Sequence, residues 1–145
     1  MRSETARPPS TRHFSMRFSP SRRGARAARR LAAELLAAWR WPPDDDAAQR
    51  AVLLVAELAA NAALHGFAPG RDFEVRLILV EPATLRVEVT DARPDRLPPA
   101  PGELRPASAR TESGRGLLLV DALADRWGVR HGGPDTKTVW CELTL

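Results

Sequence analysis

Glu57 and Asn61 stand out because nearly everything around them is hydrocarbon. Across Ala51 to Leu64, AVLLVAELAANAAL, they are the only polar residues. Four positions apart on a helix they share a face, and His65, four further on, prolongs the stripe. A helix that is apolar on its remaining sides is expected to be buried. A carboxylate taken into such a place needs a compensating partner or a task. An amide oxygen can ligate a hard cation, and a carboxylate one turn away can accept a proton. The blander reading is that Glu57 meets an arginine and Asn61 a loop carbonyl, so that the stripe only satisfies itself.

Other residues with possible chemistry depend on the elements that carry them. Phe73, Val75, Leu77 and Leu79 alternate with more polar neighbours, as do Leu85, Val87 and Val89. Two strands joined through Glu81-Pro82-Ala83 follow, as an antiparallel hairpin. If the second strand continues, Asp91 shares the face of Leu85, Val87 and Val89 and points inward. If it stops at Thr90, Asp91 only begins a turn. Residues 92–113 carry five prolines without periodicity, which is the mark of a lid or binding loop. Gly114-Arg115-Gly116 then precedes the apolar run from Leu117, where a helix is expected. Glycines ahead of a helix allow close backbone approach, and the helix start favours an anion such as phosphate; by itself the pattern more often marks an ordinary turn.

The remaining chain supplies the frame. Residues 1–12 are rich in Pro, Ser, Thr and Arg and are expected to be a disordered basic tail. His13 to Phe18 alternates as a short edge strand. Arg22 to Trp39 has apolar residues at helical spacing and is stopped by Pro42-Pro43. Asp46 with Gln49 suggests a capping box opening the central helix, which should end at Gly66. Trp127 to His131 and Lys137 to Leu145 read as strands; Val139, Cys141 and Leu143 share one face, Thr138 and Trp140 the other.

With 145 residues and 43% hydrophobic content, one domain with a real core is expected, over residues 13–145. Cys141 is the single cysteine, so no internal disulfide or cysteine-rich zinc site can form. No uninterrupted apolar run reaches membrane-span length, which leads to the expectation of a cytoplasmic protein without a membrane partner. Residues 1–30 hold nine arginines and one glutamate, whereas the rest holds 13 basic and 17 acidic residues. That balance argues against nucleic acid as a direct partner of the body, although an arginine-rich arm keeps such a regulator as an alternative.

Taken in order, Glu-x-x-x-Asn on an apolar helix, an Asp closing a strand, a Pro-rich loop, Gly-x-Gly and Thr-Val in a last strand make a recognisable series. ELAANAALHG resembles the N box of the histidine-kinase-like ATPase family, and GRGLLLVDALADRW resembles its second glycine box. This family also contains gyrase B, Hsp90 and the bacterial anti-sigma-factor serine kinases. Small size and the ending KTVWCEL make the chain most similar to the anti-sigma kinase branch, as in short actinomycete regulatory proteins. The resemblance implies an α/β two-layer sandwich, a mixed, mostly antiparallel sheet with helices on one face. It implies ATP and Mg2+ as cofactors, with Asn61 on the metal and Glu57 as catalytic base. Asp91 would accept from the adenine amino group, Thr138 would hold adenine through a water, and Gly114, Arg115 and Gly116 would meet the phosphates beneath a lid of residues 92–113. The implied activity is serine/threonine kinase action on an anti-sigma antagonist, with a sigma factor as further partner and pairing of two copies.

One departure is plain. Where the family usually has Asp-x-Gly-x-Gly, this chain has Asp91-Ala92-Arg93-Pro94-Asp95, and Thr136 stands where a glycine is frequent. The lost glycines keep open the alternative of a catalytically weak ATP-binding module that sequesters a partner.

Overall fold

The computed structural model describes residues 11–96 and 112–145, the side chains of 112–116 excepted. In order the elements are β1 (Thr11–Phe18), α1 (Arg22–Ala38), α2 (Asp46–His65), β2 (Phe73–Val80), β3 (Thr84–Asp91), α3 (Glu112–Leu123), β4 (Arg126–His131) and β5 (Lys137–Thr144). The strands form one sheet in the order β1-β2-β3-β5-β4. All four pairings are antiparallel, which sharpens the mixed expectation.

Alternation decides which sheet face is covered. Phe73, Val75, Leu77 and Leu79 of β2, Leu85, Val87 and Val89 of β3, and Val139, Cys141 and Leu143 of β5 are buried on one face. They pack in a common core with Ala51, Leu54, Val55, Leu58 and Ala62 of α2 and Ala28, Ala32 and Leu36 of α1. The opposite face is an ion-pair lattice. Glu88, 5% exposed, receives Arg86 at 2.8 Å and lies 3.6 and 3.7 Å from Arg130 and Arg76. Burial pushes the Glu88 carboxyl up, but the Arg86 hydrogen bond and the charges of Arg130, Arg86 and Arg76 outweigh it and hold it below its ordinary value.

Helix ends follow local chemistry. α1 starts at Ser21, whose hydroxyl accepts from Gly24 N–H. It ends in a Schellman motif: Trp41 N–H donates to Leu36 O at 2.8 Å and Arg40 N–H to Ala37 O at 3.1 Å. Arg40 therefore carries φ = 76°, in the region that glycine usually fills. α2 is capped by Asp45, not by Asp46, with the carboxylate accepting from Ala48 N–H at 2.9 Å. The cap thus sits one residue earlier and the expected capping box is not formed: the third helical position is Ala48, and Gln49 donates to Pro43 O.

Further differences concern extents. Thr11 and Arg12, expected in the tail, belong to β1 because the register with β2 continues through Val80 and Leu79. Residues 1–10 and 97–111, hence most of the expected tail and lid, lie outside the described residues. α2 is not buried all round: Leu53, Ala56, Glu57, Ala60 and Asn61 are half-buried and Leu64 is exposed. By length and apolarity α2 could cross a membrane, but one side of it is taken up by the core. α3 begins at Glu112, five residues ahead of the expected start.

Candidate functional site

Asp91 ends β3 as its parity requires, facing the helix layer beside the C-terminal end of α2. It is 4% exposed, and its cross-strand neighbour Lys137 is 2% exposed. The two form a buried ion pair: Lys137 Nζ donates to Asp91 Oδ1 at 2.8 Å and to Oδ2 at 2.9 Å. The ammonium's third bond goes to Arg93 O at 2.9 Å. Arg93 N–H donates back to Asp91 Oδ1 at 2.9 Å, closing an Asx turn. The Arg93 guanidinium reaches Phe67 O and Asp95, and the Arg93 hydrogen bond holds the exposed Asp95 carboxyl at about 2.

This turn explains how the chain manages without the two glycines after Asp91. Among the described residues Arg40 alone combines a side chain with positive φ, so Arg93 and Pro94 stay in ordinary backbone conformations. The glycine requirement moves to the other wall. At Gly66, the C-cap of α2, an added Cβ would lie 2.3 Å from Asp91 Cγ and Oδ2. Gly66 is needed for close approach, and its φ of −98° is one that any residue adopts.

The α2 stripe is placed differently. Glu57 borders a cleft of about 410 Å³ between α1 and α2, opposite Arg22, Arg26 and Arg29. Asn61, one turn on, is half-buried. His65 Nε2 is buried with no hydrogen-bond partner among the described residues. The cavity of about 320 Å³ that touches Asp91 is a separate one, also walled by Arg17, Glu74 and Thr90. Those three form one cross-strand row on the face turned from the helices. Thr138 belongs to that same face, where its hydroxyl and that of Thr90 are 2.7 Å apart. The structure therefore brings Asp91, Gly66, Lys137 and Arg93 together, whereas Thr138 lies across the sheet from them. Gly114 falls in the first turn of α3, whose N–H groups have no intrahelical partner, and Arg115 and Gly116 continue the helix.

Residues 18–142 match the profile of the histidine kinase-like ATPase domain. The chain belongs to that family. Over 74 residues the chain is also 49% identical to an uncharacterised Streptomyces coelicolor protein, SCO4941; the match covers 50% of the chain and 66% of that relative. The solved RsbU and RsbW domains of Rv1364c from Mycobacterium tuberculosis superpose with a TM-score of 0.65 at 20% identity, over 92% of this chain and 32% of that one. The likeness establishes the shared fold, and the chain spans about a third of that protein.

An ATPase domain implies ATP, with Mg2+ its usual companion, and the residues fit unevenly. Asn61 remains partly open, so its amide oxygen can reach a cation. Among the described residues no group of three His, Cys, Asp or Glu side chains could hold a metal. Mg2+ is commonly held by one or two protein ligands together with phosphates and water, so Asn61 is the residue that would hold it. Asp91 fits poorly, because its carboxylate is already engaged.

Lys137 is the residue that sequence reasoning missed. In the sequence it marks only the first residue of the last strand. The signal was present: Lys137 shares the odd parity of Val139, Cys141 and Leu143, so a lysine was being placed on the core face. Nothing in the sequence says which acid it meets there, since that depends on the β3–β5 register.

Proposed function

We propose that this histidine kinase-like ATPase domain binds ATP with Mg2+ and acts as a serine/threonine kinase of anti-sigma type on an antagonist protein in the cytoplasm, with a sigma factor as further partner. The observation that carries the reading is the pair Glu57 and Asn61, one turn apart and half-buried on a helix whose other residues from Ala51 to Leu64 are all apolar. Asn61 would hold the metal, and the bound ion would offset phosphate charge during transfer. Glu57, which borders the cleft between α1 and α2, would accept the proton of a substrate serine hydroxyl. Gly114 and Arg115, in the first turn of α3, would serve the phosphates at that helix start.

The test is an ATP titration with and without Mg2+, paired with phosphate release or antagonist phosphorylation. Asn61→Ala should weaken Mg2+-dependent ATP binding about tenfold or more, and Glu57→Ala should abolish turnover while ATP still binds. Equal ATP affinity in wild type and Asn61→Ala would remove the site as drawn. The Asp91–Lys137 pair favours a second reading, a weakly nucleotide-bound module that sequesters its partner. It predicts the same partner affinity and the same absent turnover with or without Glu57.

A further inference from the structure

Lys137 and Asp91 account for each other's bonding capacity almost completely. An ammonium has three N–H donors, and those of Lys137 go to Asp91 Oδ1, Asp91 Oδ2 and Arg93 O, all between 2.8 and 2.9 Å. Oδ1 accepts a second bond from Arg93 N–H. Oδ2 is walled by Gly66, where even one added carbon would stand 2.3 Å away. With both side chains no more than 4% exposed, the carboxylate holds out little accepting capacity to an incoming group while the pair stays closed.

We infer that Lys137 determines base specificity in the proposed nucleotide site, by closing the Asp91 carboxylate to an incoming purine. The inference rests on the ATP reading above. A free carboxylate at Asp91 would accept from the exocyclic amine of adenine and would repel the carbonyl oxygen that guanine presents at the equivalent position. A carboxylate already neutralised by an ammonium does neither strongly. The chain therefore binds purine nucleotides chiefly through metal and phosphate contacts, with little preference for adenine. Replacing the ammonium with a neutral group opens acceptor positions on Asp91 and restores discrimination. Lys137 does not touch the nucleotide in this account; it acts through Asp91 as a positioning residue.

The experiment is calorimetric titration of the full chain with Mg2+-ATP and Mg2+-GTP, for wild type, Lys137→Met and Lys137→Gln, each checked by thermal melting. Methionine keeps the stem and removes the charge. Glutamine keeps one hydrogen bond to Asp91 and guards against loss of folding. In the wild type the ATP and GTP affinities should agree within about fivefold. The ATP preference should grow about tenfold or more in either variant, as expected for a hydrogen bond to a charged group. A wild type that already prefers ATP by more than about tenfold overturns the inference, and so does an unchanged ratio in a folded variant. Absence of any nucleotide binding in all three proteins overturns instead the nucleotide reading itself.

Discussion

Gly66→Ala puts the packing of the site to a direct test, because two effects of opposite sign meet at that position. At φ = −98° and ψ = 10° alanine is conformationally acceptable, and replacing glycine there would ordinarily stabilise by about 0.4–1 kcal/mol through the unfolded chain. Against this, the new Cβ would stand 2.3 Å from Asp91 Cγ and Oδ2 and 2.6 Å from its Cβ, more than about 1 Å inside ordinary contact. Asp91 cannot swing aside freely: Lys137 grips both oxygens and Arg93 N–H one of them. Either the end of α2 lifts from β3, costing about 1–3 kcal/mol as overpacking does, or the buried pair separates, costing about 3–5 kcal/mol. Set against that gain, the first route leaves a net loss of up to about 2.6 kcal/mol and the second one of about 2–4.6 kcal/mol, so a destabilised variant is expected. Urea unfolding at neutral pH reads it as a lower midpoint with an unchanged slope. A variant as stable as wild type would refute the claim that Gly66 and Asp91 are in contact, and with it the geometry that closes the carboxylate.

Two further outcomes follow from other parts of the fold. Arg40→Gly should stabilise the chain by about 1 kcal/mol, because the Schellman turn after α1 holds this residue at φ = 76°; a lower midpoint in urea would count against strain there. Cys141, fully buried and raised to about 12 by burial, should resist thiol reagents at pH 8 in the folded chain and react at once in denaturant; rapid native labelling would contradict its place in the core.

Much of the frame was legible in the residues themselves. The period of two across Phe73–Leu79 and Leu85–Val89 specifies strands and core face, because side chains must alternate. The same alternation carries Asp91 inward and Thr138 to the far face, and it is what Lys137 obeys. The helical spacing in Arg22–Trp39 and the apolar stretch ending at Gly66 mark α1 and α2. Less legible were cap positions: Asp44, Asp45 and Asp46 are chemically alike, and only the chain path from Pro43 selects Asp45. The start of α3 is hidden as well, since Gly114 and Gly116 inside its first turns read as a loop rather than a helix.

The sequence by itself determined the family, the α/β layering with a mostly antiparallel sheet and the one-turn spacing of Glu57 and Asn61, because these depend on local periodicity and residue type. The tertiary structure decided the partners. Lys137 lies 46 residues from Asp91 in the chain, and only the β3–β5 register makes them neighbours. Gly66 earns its place solely because the end of α2 lands on that carboxylate. Pairing across a sheet is a long-range choice: each strand limits which face a residue takes, and the register alone fixes which charge it meets.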